Sequence, residues 1–171
     1  MTQPELDDDH VVEICRVLTE HGVAFVVIGG VAARLHETGH STVDIDVCPS
    51  SAKDNLTRLA AALTALGARL RIEGEPEGVA FEPHQDLLAN MTTMTMVTRH
   101  GPLDLCFTPA GFSGGYDQLA ARQVVVHLAD VEIPVASLED VIVSKQFAGR
   151  PKDVAALPAL EAHLRKQRRQ T

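Results

Sequence analysis

VVIGGVAARLHETGHSTVDIDVC, residues 26–48, decides the fold. Ala24 to Ile28 is a short apolar run of the kind buried in a sheet, and Gly29-Gly30 turns the chain into a short helix over 31–37. Thr42 to Cys48 reads as a second strand. Residues two apart on a strand share a face, so the carboxylates of Asp44 and Asp46 project together. A glycine turn ahead of a helix opens backbone amides to a phosphate, and two aligned carboxylates are donors for a hard divalent cation. One short stretch therefore holds an anion site beside a cation site.

Outward from it, helix and strand patterns alternate. Residues 5–21 form an amphipathic helix with Leu6, Val11, Ile14, Val17 and Leu18 on its apolar side, closed by Gly22. Pro49 stops the second strand, and Ser50 or Ser51 caps a helix running to about Leu66. Short β-rich pieces follow between Arg69 and Arg99, broken by Gly74, Pro76, Gly78 and Pro83 and ending in the threonine-rich MTTMTMVT. Pro102 to Thr108 is a further strand, GFSGG a turn into a helix over 116–121, and 124–135 a hairpin broken near Ala129 and Asp130. Ser137 caps a helix with Glu139 and Asp140 in its first turn, and the last helix starts at Pro151. The expected fold is α/β of the α+β kind, a mixed sheet flanked by helices. Residues 1–136 form the core, and 137–171 a short helical segment packed on it as part of one unit.

Bulk properties exclude more than they choose. The chain has 171 residues, 45% hydrophobic, with a net charge of -8. No apolar run approaches the roughly 20 residues that span a bilayer, and the acidic N-terminus lacks the pattern of a signal peptide, so the cytoplasm is expected. Cys15, Cys48 and Cys106 match no zinc or disulfide spacing, and His36 and His40 straddle a glycine rather than forming a ligand pair. Net acidity argues against broad nucleic-acid binding, while Arg165, Lys166, Arg168 and Arg169 leave either a local basic patch or a helix end complementing its dipole.

The third element of the chemistry is GPLDLCF, residues 101–107. Asp104 stands mid-strand between two leucines, where an unpaired charge is expensive unless it faces a site. If this strand neighbours 42–48, three carboxylates converge, and without metal at least one carboxyl pKa must rise. Blander readings stand beside it. Asp44 and Asp46 can face solvent on an edge strand, Asp104 can pair with Arg99, Lys145 and Lys152 can be exposed helix charges, and Cys48 and Cys106 can be small buried hydrophobes.

Gly29, Gly30, Thr42, Asp44 and Asp46, with the later Asp104, resemble the nucleotidyltransferases of the DNA polymerase β superfamily. With SLEDVIVSKQFAGRPKDVAAL at 137–157, the pattern resembles the AbiEii and MenT-type toxins of type IV toxin–antitoxin systems, over residues 24 to 160. The resemblance implies a polymerase-β-like core and transfer of NMP from an NTP to a hydroxyl. It implies that Gly29, Gly30 and Thr42 cradle the nucleotide and that Asp44, Asp46 and Asp104 hold two Mg2+ ions, with Mn2+ as an alternative. Asp104 would also help deprotonate the acceptor. Lys145, Arg150 and Lys152 would contact phosphates, with Asp153 orienting Lys145 or Arg150. The acceptor implied is the 3′ end of tRNA, the nucleotide CTP or another pyrimidine, the effect a block of translation, and a further partner a cognate antitoxin. A small-molecule acceptor of the aminoglycoside type, a protein acceptor, and an inactive binding or antitoxin component are the alternatives. Gly30 and His40 depart from the family, which often has serine and arginine there.

Overall fold

The computed structural model describes residues 3–171. Its elements in chain order are α1 (Asp8–Glu20), β1 (Phe25–Ile28), α2 (Gly29–Leu35), β2 (Ile45–Pro49), α3 (Lys53–Ala65), β3 (Arg69–Ile72), β4 (Glu75–Val79) and α4 (Gln85–Ala89). There follow β5 (Thr93–Thr98), β6 (Gly101–Cys106), α5 (Tyr116–Ala120), β7 (Val124–Leu128), β8 (Val131–Val135), α6 (Leu138–Ala148) and α7 (Pro151–Gln170). No described helix is long and apolar enough to cross a membrane.

Eight strands form one sheet in the order β4-β3-β5-β6-β2-β1-β8-β7. β2 pairs antiparallel with β1 and parallel with β6, and β1 pairs parallel with β8. The sheet is mixed, and its most apolar strands are central because both their faces are covered. Ile45 and Val47 of β2 and Leu103 and Leu105 of β6 are fully buried on the side that packs into the core with Ile14, Leu18, Leu59 and Leu63. Alternation then sends Asp46 and Asp104 to the opposite face. Asn55 of α3 pins the strand ends: its amide donates to the carbonyls of Ala24 and Ser50 at 3.0 and 2.8 Å and accepts from Ala24 N at 2.7 Å.

Several boundaries differ from the sequence reading. α1 starts at Asp8, where Asp7 accepts from His10 N at 2.9 Å, so Leu6 precedes the helix. It is buried all the same, and its N–H bonds Thr42 O at 2.8 Å, tying the N-terminal segment to the loop before β2. β2 runs from Ile45 rather than Thr42 and ends at Pro49, which is itself its last residue and pairs with Phe25. Neither Ser50 nor Ser51 caps α3; the cap position is Ala52, whose N–H reaches Ser50 Oγ at 3.3 Å. Ser137 does cap α6, accepting from Asp140 N at 3.2 Å, and Pro151 opens α7. α7 packs on α6, and α6 on α2, which brings the C-terminal helices beside the central strands.

Candidate active site

Strand register builds one row across the sheet. Ile28 of β1 lies beside Asp46 of β2, Asp46 beside Asp104 of β6, and Asp104 beside Thr95 of β5. Arg71 of β3 follows Leu70, which pairs with Met96, so its side chain reaches the same face across β5. Its Nη2 donates to both Asp104 oxygens at 3.0 Å and stands 4.0 Å from Asp44 Oδ2. Asp44 lies just ahead of β2, outside the strand the sequence assigns it to, and Thr42 Oγ1 donates to its carbonyl at 3.1 Å. Neither Asp44 nor Asp46 belongs to an edge, because β2 is central.

Gly29 and Gly30 are not a turn but the first residues of α2. Gly29 has φ +65°, and a Cβ there would sit 2.6 Å from Asp46 Oδ2. Glycine is required twice, for the backbone conformation and for the approach of the carboxylate. At Gly30 a Cβ would lie 2.8 Å from Thr42 Cβ and Oγ1, which accounts for the missing serine. A Gly30→Ser protein is therefore expected to lose about 1–3 kcal/mol through overpacking against Thr42. A thermal melt equal to that of the parent would show that the Thr42 loop gives way freely.

The cationic residues come from the α6–α7 corner. Asp153, with 0% of its surface exposed, accepts from Lys145 Nζ at 3.3 Å and from Arg150 Nε at 2.6 Å. Burial works to raise the Asp153 carboxyl, but the Arg150 bond and the charges of Lys145 and Arg150 outweigh it and hold it below the ordinary range. Lys145 is 11% exposed and Arg150 61%, so the first is locked and the second free to swing. His40 beside them is lowered by burial and then by Lys145 and Lys152.

On the carboxylate side, burial, then Asp44, then Asp104 push Asp46 up to about 7. Burial raises Asp104 as well, opposed by Arg71. This is the signature of a carboxylate set without its full counter-charge. The donors are oxygens only, the set that Mg2+ and Mn2+ take. Among the described residues no three His, Cys, Asp or Glu side chains converge on one point, since Arg71 stands between Asp104 and Asp44. Asp44 and Asp46 are thus open to a divalent ion, and Asp104 is engaged by Arg71. Removing that guanidinium in Arg71→Ala is expected to tighten Mn2+ binding about five- to tenfold, read by titration calorimetry. Weaker Mn2+ binding would contradict this competition.

Two cavities meet along this row. One, of about 340 Å³, is lined by Gly29, Gly30, Thr42, Asp44 and Asp46 and by Lys145, Arg150 and Lys152. The other, of about 490 Å³, carries Thr93, Thr95, Asp104, Cys106 and Ser144. They share Gly29, Asp46 and Arg150. Anion-binding chemistry lies on one side of Asp46, and hydroxyls with a carboxylate on the other. A separate cavity of about 480 Å³, near Ser50 and Tyr116, contains none of these residues. Cys106 faces the second cavity, whereas Cys48 is buried. Burial pushes the Cys48 thiol up to about 12 and raises Cys106, so both behave as neutral small side chains.

Gly29, Gly30, Thr42, Asp44, Asp46, Asp104, Lys145, Arg150, Lys152 and Asp153 all line one or other of these two cavities, whereas Arg99 lies over Gly67 instead of pairing with Asp104. The partner of Asp104 is Arg71, which the sequence reading missed. Its signal was the RLRI alternation of 69–72, which puts two arginines on one face of a strand.

No protein-family model and no curated protein matches the chain by sequence. Its fold does match solved structures. The lincomycin-bound lincosamide antibiotic adenylyltransferase LnuA superposes with a TM-score of 0.61 at 15% identity, over 94% of this chain and 99% of that one. The antibiotic-resistance factor ANT(2″)-Ia gives 0.59 at 14% identity, over 92% and 83%. A nucleotidyltransferase-like protein of Paracoccidioides brasiliensis gives 0.56 at 14%, over 92% and 78%. The chain has the nucleotidyltransferase fold.

Proposed function

We propose that the protein transfers a nucleoside monophosphate from an NTP to a hydroxyl of a small acceptor, and that the row from Asp46 to Asp104 is where the two substrates meet. The observation that carries this reading is the pair of adjoining cavities that share Asp46, one carrying Lys145, Arg150 and Lys152 and the other the hydroxyls of Thr93, Thr95 and Ser144. Lys145, Arg150 and Lys152 bind the β- and γ-phosphates, while Gly29 and Gly30 leave the main chain clear for them and Thr42 holds Asp44 in place. Mg2+ or Mn2+ on Asp44 and Asp46 supplies charge neutralisation at the α-phosphate when bound. Asp104, once its oxygens leave Arg71, accepts the proton of the acceptor hydroxyl. The oxygen then bonds to the α-phosphorus in line as the bond to the β-phosphate breaks and pyrophosphate departs. The chain contributes chiefly position and electrostatics.

The second cavity has the volume of a drug-sized site, and two carboxylates, Asp46 and Asp104, line it against one guanidinium, Arg150. That suits a hydroxylated cationic molecule better than a phosphodiester. The names of two structural neighbours place them on such molecules, a lincosamide and the 2″ position of tobramycin. A second reading keeps the chemistry but takes the 3′ end of tRNA as acceptor, with a pyrimidine NTP, as a cytoplasmic toxin held by an antitoxin. It is favoured by the far end of α7, where Arg165, Lys166 and Arg169 are exposed roughly 25 Å along the helix from Arg150. Only a long acceptor touches both ends.

One experiment separates them. Purified protein, Mg2+ and each α-labelled NTP are incubated with total tRNA or with a panel of aminoglycosides and lincosamides, beside an Asp44→Ala/Asp46→Ala control. Label on a small molecule, absent from the control, is the expected result. Label on tRNA alone replaces it with the second reading, and no label with any acceptor overturns the enzymatic assignment.

A further inference from the structure

The first cavity contains one titratable side chain that the reaction leaves unused. His40 lines it together with Gly29, Gly30 and Thr42 and with Lys145, Arg150 and Lys152. Its ring lies over the start of α2, where a Cβ on Gly30 would stand 3.3 Å from His40 Cδ2. Two other partly buried histidines are spent on the fold. His21 Nδ1 stands 2.8 Å from the Val17 carbonyl, and His36 Nε2 stands 2.8 Å from that of Ala136. Among the described residues none hydrogen-bonds a ring nitrogen of His40, whose state is set by burial and by charge through space.

The charges that act on this ring are Lys145 of α6, Lys152 and Asp153 of α7, and Arg34 of α2. Arg150, Asp44 and Asp46 complete the charged lining of the cavity. Asp153 is bonded to Lys145 and Arg150, and Arg34 to Asp8 at 3.0 Å and the Leu6 carbonyl at 2.6 Å. Burial, then Lys145 and Lys152, therefore hold the imidazole neutral while the cavity is empty of anions. A triphosphate reverses that field, because it sets several negative charges against the same lysines. It also favours the protonated ring directly: imidazolium offers two donors, the neutral ring one. The loop that carries His40 is unpacked at Gly39, where an added Cβ would meet nothing within 4 Å, so the ring has room to follow a phosphate.

We infer, on the reading of the first cavity as the nucleotide site, that His40 is a phosphate ligand of the NTP and binds as the imidazolium. Nucleotide binding then takes one proton from solvent onto the ring, which donates a charge-assisted hydrogen bond to a phosphate oxygen. Linkage fixes the sign. The gain in affinity is full below the pKa of the ring in the free protein and is lost as pH rises through that of the ring in the complex.

Inorganic tripolyphosphate tests this with the full chain and a chelator, which removes divalent cations, while the probe itself carries no base. Proton NMR follows the imidazole signals of the eight histidines, and the signal missing from His40→Gln identifies His40. The expected result is a His40 that titrates below the ordinary histidine range alone and about one pH unit or more higher with tripolyphosphate. By calorimetry, His40→Gln should bind tripolyphosphate about tenfold more weakly than the parent near pH 6, and equally well near pH 8.5. Asp46 also titrates near neutrality, but it is common to both proteins and drops out of the comparison. A His40 midpoint that tripolyphosphate does not raise, or equal affinities of parent and variant at both pH values, overturns the inference and leaves the nucleotide site standing. Failure of both tripolyphosphate and NTP to bind overturns it together with that reading of the cavity.

Discussion

An Asp46→Asn protein is expected to lose nucleotidyl transfer by at least ~10³-fold and, at pH 8 without divalent cation, to melt above the parent. The loss follows from removing the carboxylate at the junction of the two cavities. The gain follows from what that carboxylate costs the fold. Asp46 is pushed up to about 7 from an ordinary carboxylate value of 3.8, by burial first and then by its neighbours Asp44 and Asp104. Below pH 3.8 it is protonated in both folded and unfolded chains and contributes nothing. Between the two values the folded state holds a proton that the unfolded state releases, and stability falls by up to about 1.4 kcal/mol per pH unit. Above 7 the full cost is present, on the order of 4 kcal/mol at most. The neutral amide avoids it, so about 2–4 kcal/mol should be recovered at pH 8 and almost none at pH 4. Saturating Mg2+ should shrink the difference by supplying the missing charge to the parent. Equal melts at pH 8 would mean that Asp46 is better solvated than its surroundings indicate.

Asp153→Asn should act in the opposite sense on stability. Asp153 is fully buried and bonded to Lys145 and Arg150. Arg150 is exposed enough to turn to solvent, whereas Lys145 is not and would remain as a buried cation without its counter-ion. Breaking one side of a buried pair costs about 3–5 kcal/mol, a fall of roughly 6–20 °C in Tm for a chain of this size. The same change removes the carboxylate that aims Lys145, so NTP affinity should drop about tenfold or more while binding of an acceptor in the second cavity holds. Calorimetric titration of each substrate separates the two effects. Because the carboxyl is held low in the fold, its contribution is present above the ordinary carboxylate pKa and is lost as pH falls through the depressed value. The melting difference between parent and variant should therefore shrink at low pH. A variant with the parent's Tm would place Asp153 outside the support of this corner.

These two residues also mark how far the chain could be read before it was folded. Asp46 was legible through local physics, since strand alternation and its apolar neighbours Ile45 and Val47 leave a carboxylate only one face to occupy. The element types were legible for the same reason, and most errors fell at boundaries where two local signals compete. Gly29-Gly30 reads as a turn because glycine is the residue of turns, but the chain enters α2 directly, with Gly29 supplying the positive φ. Pro49 reads as a strand stop, but Phe25 across from it keeps the ladder going one residue further.

Asp153 was placed only by resemblance, and Arg71 not at all. Arg71 comes from a strand that is no sequence neighbour of Asp104, and the two meet because β3 lies two strands away on the same face. What residues 26–48 and 101–107 decided alone was which side chains would carry the chemistry. Alternation, burial and turn propensity act over a few residues and need no partner. What the tertiary structure decided was how those side chains balance one another. β2 lies parallel to β6, Arg71 neutralises Asp104, and Lys145 is locked to Asp153 where Asp46 is left short of positive charge. Electrostatic balance depends on through-space distance and burial, and neither exists until strands far apart in the chain lie side by side.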